Sequence, residues 1–145
     1  MREILFRGKR IDNGEWVYGN FVMDATEQVQ REKIPLDPIL ADGFIRRYDL
    51  AQQKIVMHEV DRKTVGQYTG LTDKNGTKIF EGDICKNTEN GKTAVVKWYE
   101  EYNADMLYCK SENHVYWLFD VDFAKIEIIG NIHDNPELMG GNENE

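Results

Sequence analysis

The sequence is poor in the residues that mark secreted and metal-binding proteins. It has only two cysteines, Cys85 and Cys109, and its three histidines, His58, His114 and His133, are far apart along the chain. Two distant cysteines do not make a disulfide framework, and scattered histidines do not have the close spacing of a zinc site. We therefore expect two reduced thiols on strands, with no metal and no other cofactor.

Long apolar runs are absent as well. No stretch approaches the roughly 18 residues that a membrane-spanning helix needs, and the first residues lack the apolar segment of a signal peptide. The sequence thus predicts a cytoplasmic protein that does not contact a membrane.

Basic residues are scarce near the C-terminus. Residues 93–145 carry 3 Lys and Arg against 11 Asp and Glu, whereas residues 1–92 carry 15 of each. Because basic groups supply most of the affinity for nucleic acids, the acidic third should repel phosphate. A nucleic-acid surface would have to use Arg2, Arg7, Lys9 and Arg10, or Arg46 and Arg47, with Trp16 and Tyr18 as stacking residues. Charged side chains that protect an edge strand from aggregation would explain the same basic residues. We therefore expect weak, non-specific binding to DNA or RNA.

Hairpin signals dominate the rest of the chain, whose 145 residues are the usual size of one domain. Asn-Gly pairs occur at 13–14, 75–76 and 90–91, each between strand-like segments, and both residues of such a pair accept the positive φ of a type I′ turn. Strands are also predicted over 106–109, 115–119 and 126–132. The predicted fold class is all-β, mainly antiparallel, a barrel-like or sandwich-like body built from hairpins with minor short helices.

Residues 24–54 differ in composition from the strand-like segments around them. They are predicted to be a variable insertion, partly loop. Asp24 and Glu27 resemble a helix cap and its partner, and Pro35 and Pro38 would end that helix. The predicted organisation is a single domain over residues 1–139 that contains this insertion, followed by a flexible acidic tail over residues 140–145.

Two short helices complete the prediction. Residues 61–65, which begin with Asp61, indicate one helical turn. Near the C-terminus, Asn135 is a suitable cap for a short helix around Leu138, and Pro136 suits its first position.

No complete catalytic set is recognisable. The single serine, Ser111, lies in a polar turn that lacks the strained elbow of a nucleophile. Cys85 or Cys109 could pair with His114 as a thiolate, although sequence alone does not bring them together, and two buried thiols are the simpler interpretation. We expect the aromatic residues to be mainly core.

Carboxylates give the nearest approach to an enzymatic signal. Glu81 and Asp83 flank Gly82, and Asp120 and Asp122 flank Val121. Residues two apart on a strand share a face, so either pair could hold a divalent cation. A solvated strand face explains both pairs as well, and we assign no catalytic, cofactor-binding or metal residue.

Three blocks of sequence together resemble the YopX family of phage and prophage proteins. They are the N-terminal REILFRGKR with the following GEWVYGN, the central TVGQYTGLTDKNG running into IFEGDI, and the terminal IGNIHDNPEL. The resemblance spans nearly the whole chain, and the blocks occur in family order. It implies a small, mainly β protein carried by bacteriophages or prophages, in the cytoplasm of the bacterial host. It implies no activity, because the family has no established biochemical function.

The function expected from these observations is a non-enzymatic protein-binding or assembly module. Trp16, Tyr18 and Phe21 lie close along one short strand, which predicts burial against a second copy in a homo-oligomer. The first alternative is a nucleic-acid-associated phage accessory protein that uses the basic N-terminal hairpin. The second alternative is a divalent-metal-dependent hydrolase that uses the carboxylate pairs.

Overall fold

A computed structural model describes residues 2–22 and 43–139 of the chain. The strands are β1 (Phe6–Arg10), β2 (Trp16–Val22), β3 (Phe44–Asp49), β4 (Lys54–Thr72), β5 (Lys78–Phe80), β6 (Asp83–Asn87), β7 (Thr93–Tyr99), β8 (Ala104–Cys109), β9 (His114–Trp117) and β10 (Ile126–Asn131). Short 3-10 helices occupy Glu100–Tyr102, Leu118–Asp120, Phe123–Lys125 and Pro136–Met139. Every strand pair is antiparallel, so the predicted all-β class is confirmed. Among the described residues, no helix is long and apolar enough to span a membrane.

The chain forms two compact units, residues 1–67 and residues 68–145. In the first unit, β1 pairs with β2, β2 with β3, β3 with β4, and β4 returns to β1. This ring of pairings closes the four strands on one another, which is the barrel-like alternative of the two arrangements, barrel-like or sandwich-like, that the sequence left open. Phe44, Ile45 and Val60 are its most deeply buried apolar residues.

The second unit contains a five-stranded sheet in the order β10-β6-β7-β8-β9, and the end of β4 pairs with β5. Its core cluster is made of Ile79, Cys85, Val96, Leu107 and Ile126. Strands β6, β7, β8 and β10 each contribute one of these side chains, so the apolar face of the sheet is continuous. Both thiols are free and buried, as expected.

All three Asn-Gly hairpins form, but their turn geometry differs from the prediction. Gly14, Gly76 and Gly91 have positive φ, whereas none of the preceding asparagines does. A type I′ turn needs positive φ at both positions, so that assignment is wrong. The asparagine side chain acts locally instead: Asn13 Oδ1 accepts the Glu15 amide proton over 2.9 Å. The loops of these hairpins are therefore longer than the two-residue loop of a type I′ turn.

The described part of the predicted insertion, residues 43–54, contains regular structure. Residues 44–49 form β3, which lies between β2 and β4 in the first unit. Phe44 and Ile45 are almost fully buried there. Their burial stabilises a strand whose neighbours in the sequence are mostly polar. The predicted helix with Asp24 and Glu27, and the acidic tail over residues 140–145, lie outside the described residues.

The helical turn predicted over residues 61–65 is also wrong, because this segment is part of β4. Asp61 Oδ1 accepts the Lys63 amide proton over 3.0 Å, and the Thr64 hydroxyl donates to the Asp61 carbonyl over 2.6 Å. Opposite them, the pairing of β1 with β4 shifts register between Arg7 and Lys9. The same polar residues that favour a helical turn therefore make a bulge.

Candidate functional site

The basic residues of the first hairpin are held by their own unit. The Arg7 guanidinium is buried and lies 4.7 Å from the centre of the Trp16 ring, and Arg10 forms an ion pair with Asp12. In β3, Arg47 is paired with Asp49 over 3.4 Å. The predicted cationic surface is therefore partly neutralised, which lowers its suitability for phosphate.

The aromatic residues of that hairpin are also packed within the first unit. Trp16 is half-buried beneath Arg7, and Phe21 contacts Phe6 with ring centres 6.1 Å apart. Tyr18 remains 45% exposed. Two of the three residues on which the predicted homo-oligomer rested thus have neighbours in their own chain, and the oligomer stays a prediction.

His58 is the histidine of this unit, and its Nε2 atom is buried without a hydrogen-bond partner among the described residues. Burial lowers the pKa of the imidazole, and the positive charges of Arg10 and Arg47 lower it further, while Asp12 and Asp49 oppose the shift. His58 is therefore neutral at pH 7.

Neither carboxylate pair lies along one strand face. Asp83 is buried in β6 and accepts the Phe80 amide proton over 2.7 Å, whereas Glu81 lies in the turn before that strand. Strand β9 ends at Trp117, before the second pair. Asp120 is the last residue of one 3-10 helix, and Asp122 precedes the next. The period-two argument for a shared cation is therefore wrong for both pairs. Among the described residues, no group of three His, Cys, Asp or Glu side chains could hold a metal ion.

Strand β9 is one of the two edge strands of the second unit's sheet, and β10 is the other. Within the described ranges, β9 pairs only with β8. Tyr116 lies opposite Leu107 and Trp117 lies opposite Met106. Cross-strand partners share a face and neighbours alternate, so Tyr116 and Trp117 extend to opposite faces of this edge.

On the Trp117 face lies a cluster of four aromatic rings, which we call the aromatic cluster: Tyr99, Tyr102, Trp117 and Phe119. The ring centres are 6.3 Å apart for Tyr99 and Tyr102, 5.2 Å for Tyr102 and Trp117, and 5.6 Å for the stacked Trp117 and Phe119. Phe119 is 81% exposed and Tyr102 is 48% exposed. Contiguous exposed aromatic area of this kind is typical of interaction surfaces.

On the Tyr116 face lies a cleft of about 240 Å³. Its floor is apolar and includes Cys85, Ala94 and Leu107 from three adjacent strands, together with Ile126. Ala94 lies opposite Cys85 in the register, and its small side chain leaves the depression between the larger neighbours. The segment over residues 120–126 forms one wall.

Charged groups surround the mouth of the cleft. Glu112 accepts hydrogen bonds from the Lys92 ammonium group and, over 2.6 Å, from the Tyr116 hydroxyl. These two donors lower the pKa of Glu112 to about 2, so it is ionised at neutral pH. Across the mouth, Lys125 lies 3.1 Å from a Glu89 oxygen and 4.0 Å from an Asp122 oxygen.

The Cys85 thiol at the floor has little nucleophilic character. Burial raises the pKa of Cys85 to about 12, with a further contribution from Asp83. Cys109 lies opposite His114 in the register, yet its sulfur contacts Ser111 Oγ over 3.4 Å while His114 packs against the Tyr116 ring. The cleft therefore combines an apolar floor with charged groups at its mouth.

The sequence contained a signal for this edge that the strand assignment missed. Val115 to Phe119 are five apolar residues without alternation. A strand with one solvated face alternates apolar and polar residues. An unbroken apolar run that continues past the end of β9 therefore indicates that both faces have apolar surroundings or partners.

Comparison with known proteins establishes the family. The model of the YopX protein family matches residues 5–140, so the chain belongs to the YopX family, and the predicted resemblance is confirmed. No curated protein matches the chain. Among solved structures, protein EF1440 from Enterococcus faecalis is similar at 20% identity with a TM-score of 0.46, over 97% of this chain and 100% of that chain.

Several of the residues that carried the resemblance have structural roles. Gly82 has a φ of 91°, which favours glycine, at the turn into β6. At Gly130, a Cβ atom would lie 2.5 Å from Asn135 Oδ1, the atom that accepts the Asn131 amide proton. The central block supplies Asp73, whose buried carboxylate accepts amide protons from three residues.

Proposed function

We propose that this YopX family member is a non-enzymatic protein-binding module that accepts an extended segment of a partner at the edge of β9. The observation that carries the proposal is the coincidence of an open strand edge with the exposed aromatic cluster. An extended segment that pairs with an edge strand gains main-chain hydrogen bonds, and its alternate side chains are read by the two faces of the sheet.

The aromatic cluster supplies the apolar part of such a contact. Phe119 and Tyr102 lie at either side of Trp117 and are linked through it by ring contacts. Large aromatic side chains that already pack on each other lose little conformational entropy when they are covered. Phe119 is therefore the residue expected to contribute most, because most of its surface is available to a partner.

Charge favours a foreign partner at this edge over a second copy. Residues 68–145 carry 15 Asp and Glu against 7 Lys and Arg, while residues 1–67 carry 11 of each. Pairing β9 with β9 of a second copy would bring two acidic units together, and like charges oppose association. A partner that carries positive charge is attracted to the same surface.

Selection of linear peptides displayed on phage particles against the immobilised protein tests this proposal. A selected peptide should slow hydrogen exchange at the outward amides of β9, which belong to alternate residues within 114–117, because the amides between them face β8. Phe119→Ser should weaken binding about tenfold or more, the size of effect expected at a packed aromatic contact.

Tyr48→Ser is the matched control, because Tyr48 is an aromatic residue of the first unit that is 56% exposed. It should leave peptide affinity unchanged. Binding that persists in Phe119→Ser, or exchange protection that maps outside β9, would show that the edge is not the binding surface.

A further inference from the structure

The aromatic cluster is the surface nearest to a segment paired with β9. Trp117 belongs to β9 itself, and a residue opposite it in an added strand would lie about 5 Å away, measured between Cβ atoms. Phe119 and Tyr102 both contact the Trp117 ring. One side chain of the segment can therefore contact these rings without crossing another strand.

The other edge strand, β10, is bonded at two positions by a loop of its own unit. The Ile126 carbonyl accepts the Lys74 amide proton over 2.9 Å, and the Ile128 amide donates to the Asp73 carboxylate over 2.9 Å. Within the described ranges, the backbone hydrogen bonds of β9 are those of its pairing with β8 alone. An added strand therefore finds its place at β9, beside the aromatic cluster.

We propose that the aromatic cluster binds an arginine side chain of this segment, an inference that rests on the proposed function and names the partner as an extended segment that carries arginine. The guanidinium group is planar and permanently charged, and it stacks on aromatic rings. Phe119 continues the stack of Trp117 and is 81% exposed, so most of its ring is available to such a group.

The same face of the sheet already holds a cation against aromatic rings. The strand register places Lys97, Met106 and Trp117 in one row. Lys97 Nζ lies 5.7 Å from the centre of the Tyr99 ring and 5.4 Å from that of Tyr108. Among the described residues, no cation lies over the other three rings of the aromatic cluster. Those rings are therefore available to a cation from a partner.

The surroundings of the cluster are negatively charged. The segments that carry its rings, residues 97–102 and 117–122, contain four acidic residues against one lysine. Burial raises the pKa of the Tyr99 hydroxyl, and Tyr108 and Glu101 raise it further, which places the Glu101 carboxylate near the rings. Glu101 is exposed and forms no ion pair within the described part of the chain. It can therefore pair with a guanidinium group bound to the cluster.

This charge distinguishes arginine from other side chains that could cover the rings. An apolar side chain would make the ring contacts but would gain nothing from Glu101. An acidic side chain would be repelled by the acidic surroundings. Arginine gains from both the rings and the carboxylate.

Three labelled peptides of alternating threonine and valine test the inference. They differ at one central position, which is arginine, citrulline or leucine, and citrulline has the shape of arginine without its charge. Fluorescence anisotropy should show about threefold to tenfold tighter binding of the arginine peptide than of the other two. This is the size expected for one partly exposed cation–π contact together with one exposed ion pair.

Two variants assign the preference for arginine over citrulline to the cluster. Phe119→Leu keeps an apolar side chain at an exposed position but removes the ring, so it should reduce the preference about twofold or more. Glu101→Gln should reduce it as well, because the counter-charge is lost. Glu15→Gln is the matched control, since it removes the same charge from an exposed residue of the first unit, and it should leave the preference unchanged.

Hydrogen exchange at the outward amides of β9 separates this inference from the proposed function. If all three peptides slow that exchange and bind equally, the edge binds strands but the choice of arginine is wrong. An arginine preference that stays the same size in Phe119→Leu would come from net charge and would also overturn the inference. If no peptide slows the exchange, the proposed function fails and the inference with it. Slowed exchange and an arginine preference that falls in Phe119→Leu but not in Glu15→Gln support both.

Discussion

Replacing Asp73 should destabilise the second unit more than replacing any exposed aspartate. Asp73 is 6% exposed, and its carboxylate links the loop between β4 and β5 to β10. One oxygen accepts the amide protons of Asn75 and Thr77 over 2.8 and 2.9 Å, and the other accepts that of Ile128 over 2.9 Å. Asp73→Ala removes all three acceptor contacts at once.

The magnitude follows from where those three amides lie. Asn75 and Thr77 are exposed, so water can replace the carboxylate, and each lost bond costs about 0.5–1.5 kcal/mol. The Ile128 amide lies on a half-buried strand, where an unsatisfied donor costs about 1–3 kcal/mol. The expected total is about 2–6 kcal/mol, a large fraction of the roughly 5–15 kcal/mol that stabilises a typical domain.

Urea unfolding followed by tryptophan fluorescence measures this loss, since Trp98 lies in β7 and Trp117 in β9. Asp73→Asn keeps one carbonyl oxygen and should lose less than Asp73→Ala. Asp61→Ala is the control, because Asp61 is exposed and accepts one amide proton over 3.0 Å. An Asp73→Ala variant as stable as Asp61→Ala would refute the reasoning.

The dependence of stability on pH in the acid range gives an independent check on the same carboxylate. Burial raises the pKa of Asp73, but the three amide donors outweigh it and hold the pKa below the ordinary value of 3.8. This carboxylate therefore stabilises the fold above pH 3.8, and its contribution is lost as the pH falls through the lower, folded-state pKa. Asp73→Ala should remove that part of the acid dependence.

Three further predictions concern other parts of the chain. The pKa of His58 is lowered in the fold, so stability should fall as the pH drops below about 6.5, and His58→Gln should flatten that dependence in thermal unfolding between pH 7 and pH 5. Cys85 should react slowly with a thiol reagent such as iodoacetamide in the native state, because its pKa is raised to about 12; fast labelling found by mass spectrometry would contradict its burial. Self-association through the first hairpin predicts a dimeric mass by light scattering at tens of micromolar, reduced in Tyr18→Ser, and a monomeric mass would count against it.

Much of the fold followed from local chemistry. The Asn-Gly pairs located three hairpins because glycine accepts positive φ with no steric cost, and the β-branched and aromatic runs located β8 and β10. The same local reasoning failed at Asp61, because polar side chains that bond to nearby backbone groups can shape either a helical turn or a strand bulge. Only the pairing of β1 with β4 shows that residues 61–65 form a strand bulge and not a helical turn.

The candidate site was less accessible to the sequence than the fold. Asp120 and Asp122 were singled out correctly as a pair near one another, but for a strand geometry that they do not have. Their common feature is the cleft that both line with Cys85, which is more than thirty residues away in the chain. Such a juxtaposition depends on the order of strands in the sheet.

By itself, the sequence determined the strand content, the hairpins, the family and the acidic character of the second unit. These properties depend on residue type, on near neighbours and on short motifs, which a sequence displays directly. Tertiary structure decided which strand is left at the edge, which aromatic residues are exposed and where small Ala94 opens a cleft between larger neighbours. Those properties depend on packing between residues distant in the chain, because a side chain's exposure is set by what lies against it.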